Sequence, residues 1–147
     1  MKKRIAILSC SKSKLHRQNV TAEELYSKSY LFKFTLEYCR LLKFDKIIIL
    51  SAKYDVLTPS SIISYYDLSI RDLSTIDRIK WSKIISEKLD KMIGKDDEVH
   101  IFTGKDYYEN LNLNIFKIHM KGMRIRERLG YLKNKIRRLK ETKDGNK

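Results

Sequence analysis

The chain has 147 residues, a net charge of +14 from 32 basic against 18 acidic side chains, and 42% apolar residues. That length suits one domain with a real core, and no apolar run approaches the roughly 18 residues of a membrane span. Two cysteines without zinc-site spacing and three scattered histidines argue against a disulfide scaffold and against a metal centre.

Lys3–Ser9 reads as a first strand. The basic tip and the run of about five apolar residues are too short for the h-region of a signal peptide, so the protein is expected in the cytoplasm with free thiols. Cys10–Asn19 is a polar loop. Thr21-Ala22-Glu23-Glu24 is a capping box that predicts a helix to about Leu42, restarting near Ser29, with Leu25, Phe32, Leu36 and Cys39 at helical spacing. Lys46–Ser51 is a second strand whose unbroken aliphatic run suits burial on both faces of a parallel sheet. Tyr54–Thr75 lacks a helical period and reads as a long functional loop with room for a short helical turn and another short strand. Ser74 caps a helix that buries Trp81, Ile84, Ile85, Leu89 and Met92 and ends at Gly94.

Glu98–Thr103 is a third strand, followed by a Gly104 turn and a short helix over Lys105–Leu111. Asn114–His119 is a fourth strand. The last helix is predicted over about Arg124–Leu139, with Ile125, Leu129, Leu132, Ile136 and Leu139 inward and residues 141–147 fraying. The alternation predicts a single α/β domain over residues 1–147. It has a mostly parallel central sheet of at least four strands, flanked by helices, and a basic C-terminal helix.

The charge is uneven: twelve basic and three acidic residues follow from Lys117 onward. A solubility coat would mix signs, so the bias points to a polyanion, nucleic acid foremost. In a parallel sheet, ligands sit beyond the strands' carboxyl ends. Here those ends carry Lys12 and Lys14, Lys53 and Tyr54, and Lys105 and Tyr107. Lysines supply point charges for phosphates and tyrosines supply faces for bases. Lys121-Gly122-Met123-Arg124 offers a phosphate seat at a helix entry, continued by Arg126 and Arg128.

Cys10, Lys14, Tyr54 and Asp67 are the candidates for chemistry. Against this, a free cysteine is commonly a small buried hydrophobe, and the Ser-x-x-Lys spacings around Ser9 and Ser11 lack the partner motifs of serine–lysine hydrolases. His119 reads as an isolated structural imidazole. No cofactor or metal is expected. A small module docking on an acidic protein is a third reading.

Several stretches fall in a familiar order: Ile7-Leu8-Ser9-Cys10-Ser11-Lys12, Leu50-Ser51-Ala52-Lys53-Tyr54-Asp55-Val56-Leu57-Thr58-Pro59, Tyr65-Tyr66-Asp67, Trp81, Thr103-Gly104-Lys105-Asp106-Tyr107-Tyr108 and Lys121-Gly122-Met123-Arg124. The order resembles the YaaA peroxide-stress family. The chain also looks like a family of small α/β proteins of unassigned function that share Cys-x-x-x-Lys, Ala-Lys-Tyr and Gly-x-x-Tyr. More distantly it is similar to the C-terminal domain of archaeosine synthase. It departs from YaaA proteins in being shorter, in lacking a helix-hairpin-helix segment, in Asp55 where glycine is usual and in Cys10 where proline is usual. The resemblance implies an α/β domain whose basic cleft binds DNA rather than RNA. The archaeosine similarity implies that base or nucleoside modification stays open, with Lys14 matching the lysine of its cysteine–lysine motif.

Overall fold

The computed structural model describes residues 2–145. Strand β1 (Arg4–Ser9) is the centre of the fold because all four of its middle residues, Ile5 to Leu8, are apolar and buried. Such a strand needs cover on both faces and pairing on both edges. It pairs in parallel with β3 (Lys46–Ser51) on one side and with β6 (Glu98–Ile101) on the other. Strand β4 (Asp55–Leu57) folds back antiparallel on β3, and β7 (Ile115–Ile118) adds in parallel to β6. The sheet order is therefore β4-β3-β1-β6-β7.

Side chains alternate along these strands, as a period of two requires. Ala6, Leu8, Ile49 and Phe102 face helix α2 (Tyr30–Leu41) and helix α5 (Ile125–Gly145), which pack together on one side. Ile5, Ile7, Ile48, Leu50, Val99 and Ile101 face helix α3 (Thr75–Met92) on the other. The short helix α4 (Lys105–Tyr108) and Leu111 and Leu113 after it pack on the α3 side as well. The chain thus leaves β1 toward one face, while it leaves both neighbours, β3 and β6, toward the opposite face. The topological switch falls at the end of β1, the position where open α/β sheets form a crevice.

The first predicted helix is two pieces, as the Ser29 restart suggested. Helix α1 (Ala22–Leu25) is capped by Thr21, whose hydroxyl accepts from Glu24 N–H at 3.1 Å. A 3-10 turn, Tyr26–Lys28, follows, and Ser29 caps α2 by accepting from Phe32 N–H. The Glu24 carboxylate does not reach back to complete the box; it pairs with Arg17 at 2.6 Å. The expected long loop over Tyr54–Thr75 holds β4, β5 (Ile62–Ile63) and a 3-10 turn at Ile70–Asp72. Two- and three-residue strands are too short to show a period, so their sequence is silent. Strand β5 pairs with β2 (Val20–Thr21), sewing the loop after β1 to the segment after β4.

Two helical stripes differ from expectation. On α3 the inward face is Trp81, Ser82, Ile85, Ser86 and Leu89, while Ile84 is 46% exposed. The helix is rotated toward its serines because Ser86 Oγ accepts from Asn112 N–H at 2.9 Å and donates to the Ser82 carbonyl. On α5, Leu132 and Ile136 are buried, but Ile125, the first residue of the helix, is 60% exposed. Helix α5 extends to Gly145, past the expected end near Leu139; residues 146 and 147, part of the segment expected to fray, lie outside the described residues.

Candidate functional site

The carboxyl ends of β1, β3, β6 and β7 lie at one edge because these four strands are parallel. Their following turns carry Lys12, Lys53, Lys105 and Lys121, all exposed. The turn after β7 bends through Met120 and Gly122, both at positive φ (57° and 78°), before α5 begins. Arg124 and Arg126 are exposed at that beginning.

Beneath the lysines lies a buried polar cluster built around the end of β3. Ser51 is completely buried, and its Oγ accepts from Lys53 N–H at 3.2 Å and Tyr54 N–H at 3.1 Å. With both lone pairs engaged, its hydroxyl hydrogen goes to Tyr66 Oη at 2.9 Å. Tyr66 then donates to Tyr26 Oη at 2.6 Å. From the other side of the sheet, Trp81 Nε1 donates to the Ser51 carbonyl at 3.1 Å. One residue is thereby gripped from both faces. Burial pushes the Tyr26 and Tyr66 phenols above their ordinary range, so both stay protonated.

Cys10 and Lys14 border this cluster. Cys10 Sγ lies 3.3 Å from Tyr107 Oη, and burial raises the Tyr107 phenol also. Lys14 is buried, unlike Lys12. Its ammonium donates to the Lys12 carbonyl at 3.1 Å and sits 4.5 Å over the Tyr66 ring. Burial lowers the Lys14 pKa, while Cys10, Asp67 and Asp72 nearby pull the other way. Asp67 itself is exposed. Tyr54 Oη is engaged with Ser64, donating to its carbonyl and accepting from its N–H, so it latches β4 to the following loop. Tyr65 stacks on His16 at 4.0 Å.

Between the ends of β6 and β7 is a cavity of about 510 Å³. Lys105, Lys121 and Arg128 supply its charge, and Tyr108, Ile118 and Met123 supply an apolar wall. Arg128 is steered into place: its Nε donates to the Met123 carbonyl at 3.2 Å. Its two terminal nitrogens stand 3.6 Å from where a Cβ on Gly104 would be, so the guanidinium lies against the Gly104 turn. Burial disfavours the charged form of Arg128, and among the described residues it has no carboxylate partner. Arg71 and Arg78, by contrast, both pair with Asp106 at 3.4 Å.

The chain matches a family of unknown function, DUF6884, over residues 5–134. It belongs to that family. No curated protein and no solved structure matches it. In this DUF6884 chain the matched span contains the phenol cluster, the cationic cavity and every predicted site residue from Cys10 to Arg128.

The structure therefore brings Cys10, Lys14, Ser51, Tyr66 and Tyr107 together at the DUF6884 chain's switch point, with Lys12 and Lys53 above them. It places Lys105, Lys121 and Arg128 around the adjoining cavity. The later basic residues of α5 lie elsewhere. Lys133 rests over Phe34, Lys135 over Tyr131, and Lys140 pairs with Glu37 at 2.7 Å, all on the outer α2–α5 side. Sequence reasoning missed Tyr26, Tyr108, Arg71 and Arg78. Tyr26 sits in an apparent helix start, and nothing in its surroundings marks it as a partner for a residue forty positions away. Among the described residues, no group of three or more His, Cys, Asp or Glu side chains is placed to hold a metal ion, and no helix is long and apolar enough to cross a membrane.

Proposed function

We propose that this protein binds nucleic acid, DNA in preference to RNA, along the carboxyl edge of its sheet, and that it does so in the cytoplasm. The observation that carries the reading is the convergence of four lysine-bearing turns on one edge, beside Arg128, which has no carboxylate partner among the described residues. Phosphates spaced along a strand favour such a row of point charges. The preference for DNA rests on the resemblance to YaaA proteins alone, and two buried free thiols suit a reducing compartment.

The test is fluorescence anisotropy of labelled single-stranded and duplex oligonucleotides across a potassium chloride series. With four to six phosphate contacts, log K should fall against log salt with a slope of about −4 to −5 for duplex and about −3 to −4 for single strands. Affinity that is flat in salt would contradict the proposal.

A second reading has its own support. A thiol 3.3 Å from a phenol, next to a buried lysine at the switch point, supplies the groups of a reaction centre for a nucleobase held on that edge. Under it, Cys10→Ser and Lys14→Met would leave binding intact while abolishing any base modification seen by mass spectrometry of recovered oligonucleotide.

A further inference from the structure

The cavity at the ends of β6 and β7 has two unlike halves. Lys105, Lys121 and Arg128 make one half cationic, and Tyr108, Ile118 and Met123 make the other apolar. Its volume of about 510 Å³ falls within the range of small-molecule sites and exceeds what a lone phosphate fills. Arg128 is the informative residue. It is half-buried, oriented by the Met123 carbonyl and unpaired with any carboxylate among the described residues, so its fork, which lines the cavity, is set to meet a planar or tetrahedral anion through two nitrogens. Glu127, the carboxylate nearest this helix start in sequence, accepts from Arg124 N–H at 3.2 Å. The left-handed turn at Gly122 carries no Cβ, and one added there would meet nothing within 4 Å, so the mouth is open.

We infer that this cavity seats one nucleotide unit of the bound strand, its phosphate on Lys105, Lys121 and Arg128 and its base against Tyr108, Ile118 and Met123. This rests on the nucleic-acid reading and makes it specific: Lys12 and Lys53 hold the neighbouring backbone, and a terminal or unstacked nucleotide enters the cavity. A purely electrostatic rim would need no apolar wall.

The test uses the full chain and isothermal titration calorimetry with adenosine 5′-monophosphate, adenosine and inorganic phosphate. The monophosphate should bind at least about tenfold tighter than either fragment, since it alone fills both halves. Arg128→Gln should weaken it about tenfold or more, and Arg128→Lys, which keeps charge but loses the fork, by several-fold. Tyr108→Ala should weaken the monophosphate and leave phosphate unchanged. The Lys12→Ala/Lys53→Ala double variant should leave monophosphate affinity unchanged while weakening an oligonucleotide, and a 5′-phosphorylated oligonucleotide should displace the monophosphate. Equal affinity for phosphate and monophosphate would overturn the inference, as would an oligonucleotide that binds without displacing the monophosphate. If oligonucleotides bind with steep salt dependence but the monophosphate does not bind, the cavity assignment fails and the rim reading stands. If neither binds, both fail.

Discussion

Ser51 shows how much one buried hydroxyl can organise. It ends β3, caps its own turn with two accepted N–H groups and donates into Tyr66 and so on to Tyr26, while its carbonyl ties down Trp81. Removing a middle link should be costly because buried partners are left unpaired. Tyr66→Phe keeps the ring beneath Lys14 but strands the Ser51 hydroxyl and deprives Tyr26 of its donor. Urea denaturation should show a loss of about 1–3 kcal/mol. An unchanged midpoint would mean that the three hydroxyls do not form a chain. At this scale the sequence was legible only in part. Small and polar residues after an aliphatic run marked the turn, and Asp55, standing where the resemblance expects glycine, has a φ of 64°. Aspartate is among the few side chains that tolerate that region, so the departure conserves the backbone's needs. The reach from Tyr26 to Tyr66 could not be read, because it depends on where a two-residue strand pair, β2 with β5, brings two distant loops together.

At the scale of elements, β6 and the end of β7 are joined by a pair of imidazoles that spacing did not reveal. The Glu98 carboxylate can only accept, so His100 Nε2 carries the hydrogen that points to it at 3.3 Å. His100 Nδ1 then accepts from His119 Nε2–H at 2.9 Å, and His119 stacks on Phe102 at 4.1 Å. His119 is thus a paired residue, not the isolated one its sequence position suggested. Burial, aided by Lys117, His100 and Arg4, holds its pKa down to about 4, below the ordinary 6.5. Between those values the unfolded chain binds a proton that the folded chain does not, so stability is lost as pH falls through that window and is unaffected above it. Thermal unfolding from pH 7 to 4 should show a steeper decline for the native chain than for His119→Phe, which keeps the stack and cannot titrate. Parallel declines would contradict the assignment. The same scale explains the two displaced stripes. Helical spacing limits which residues can share a face on α3 and α5, but which of them turn inward depends on what lies outside the helix, as Asn112 on Ser86 shows for α3.

For the molecule as a whole, the decisive feature is sidedness. The alternation of strands and helices was legible, and with it the parallel sheet and the common edge of its lysine-bearing turns. The distribution of the C-terminal charge was not, since a helix long enough to cross the whole sheet carries its charges both toward the edge and away from it. Lys121, Arg124, Arg126 and Arg128 stand at or beside the carboxyl edge, whereas Lys133, Lys135 and Lys140 lie along the α2 side. The opposite end of the sheet has a cavity of about 420 Å³ with two carboxylates, Asp90 and Asp97, against one lysine, Lys95, in its walls, a poorer match for a polyanion than the carboxyl edge. Under the proposed function, binding belongs to the edge and not to the basic helix at large. The most direct test compares two triple variants that remove equal charge, Lys12→Ala/Lys53→Ala/Lys105→Ala and Lys133→Ala/Lys135→Ala/Arg138→Ala, by oligonucleotide anisotropy at several salt concentrations. The edge variant should lose more than about tenfold in affinity and reduce the salt slope by about 2 to 3, while the helix variant should stay close to the native chain. A helix variant that weakens binding as much as the edge variant, or more, would contradict the account.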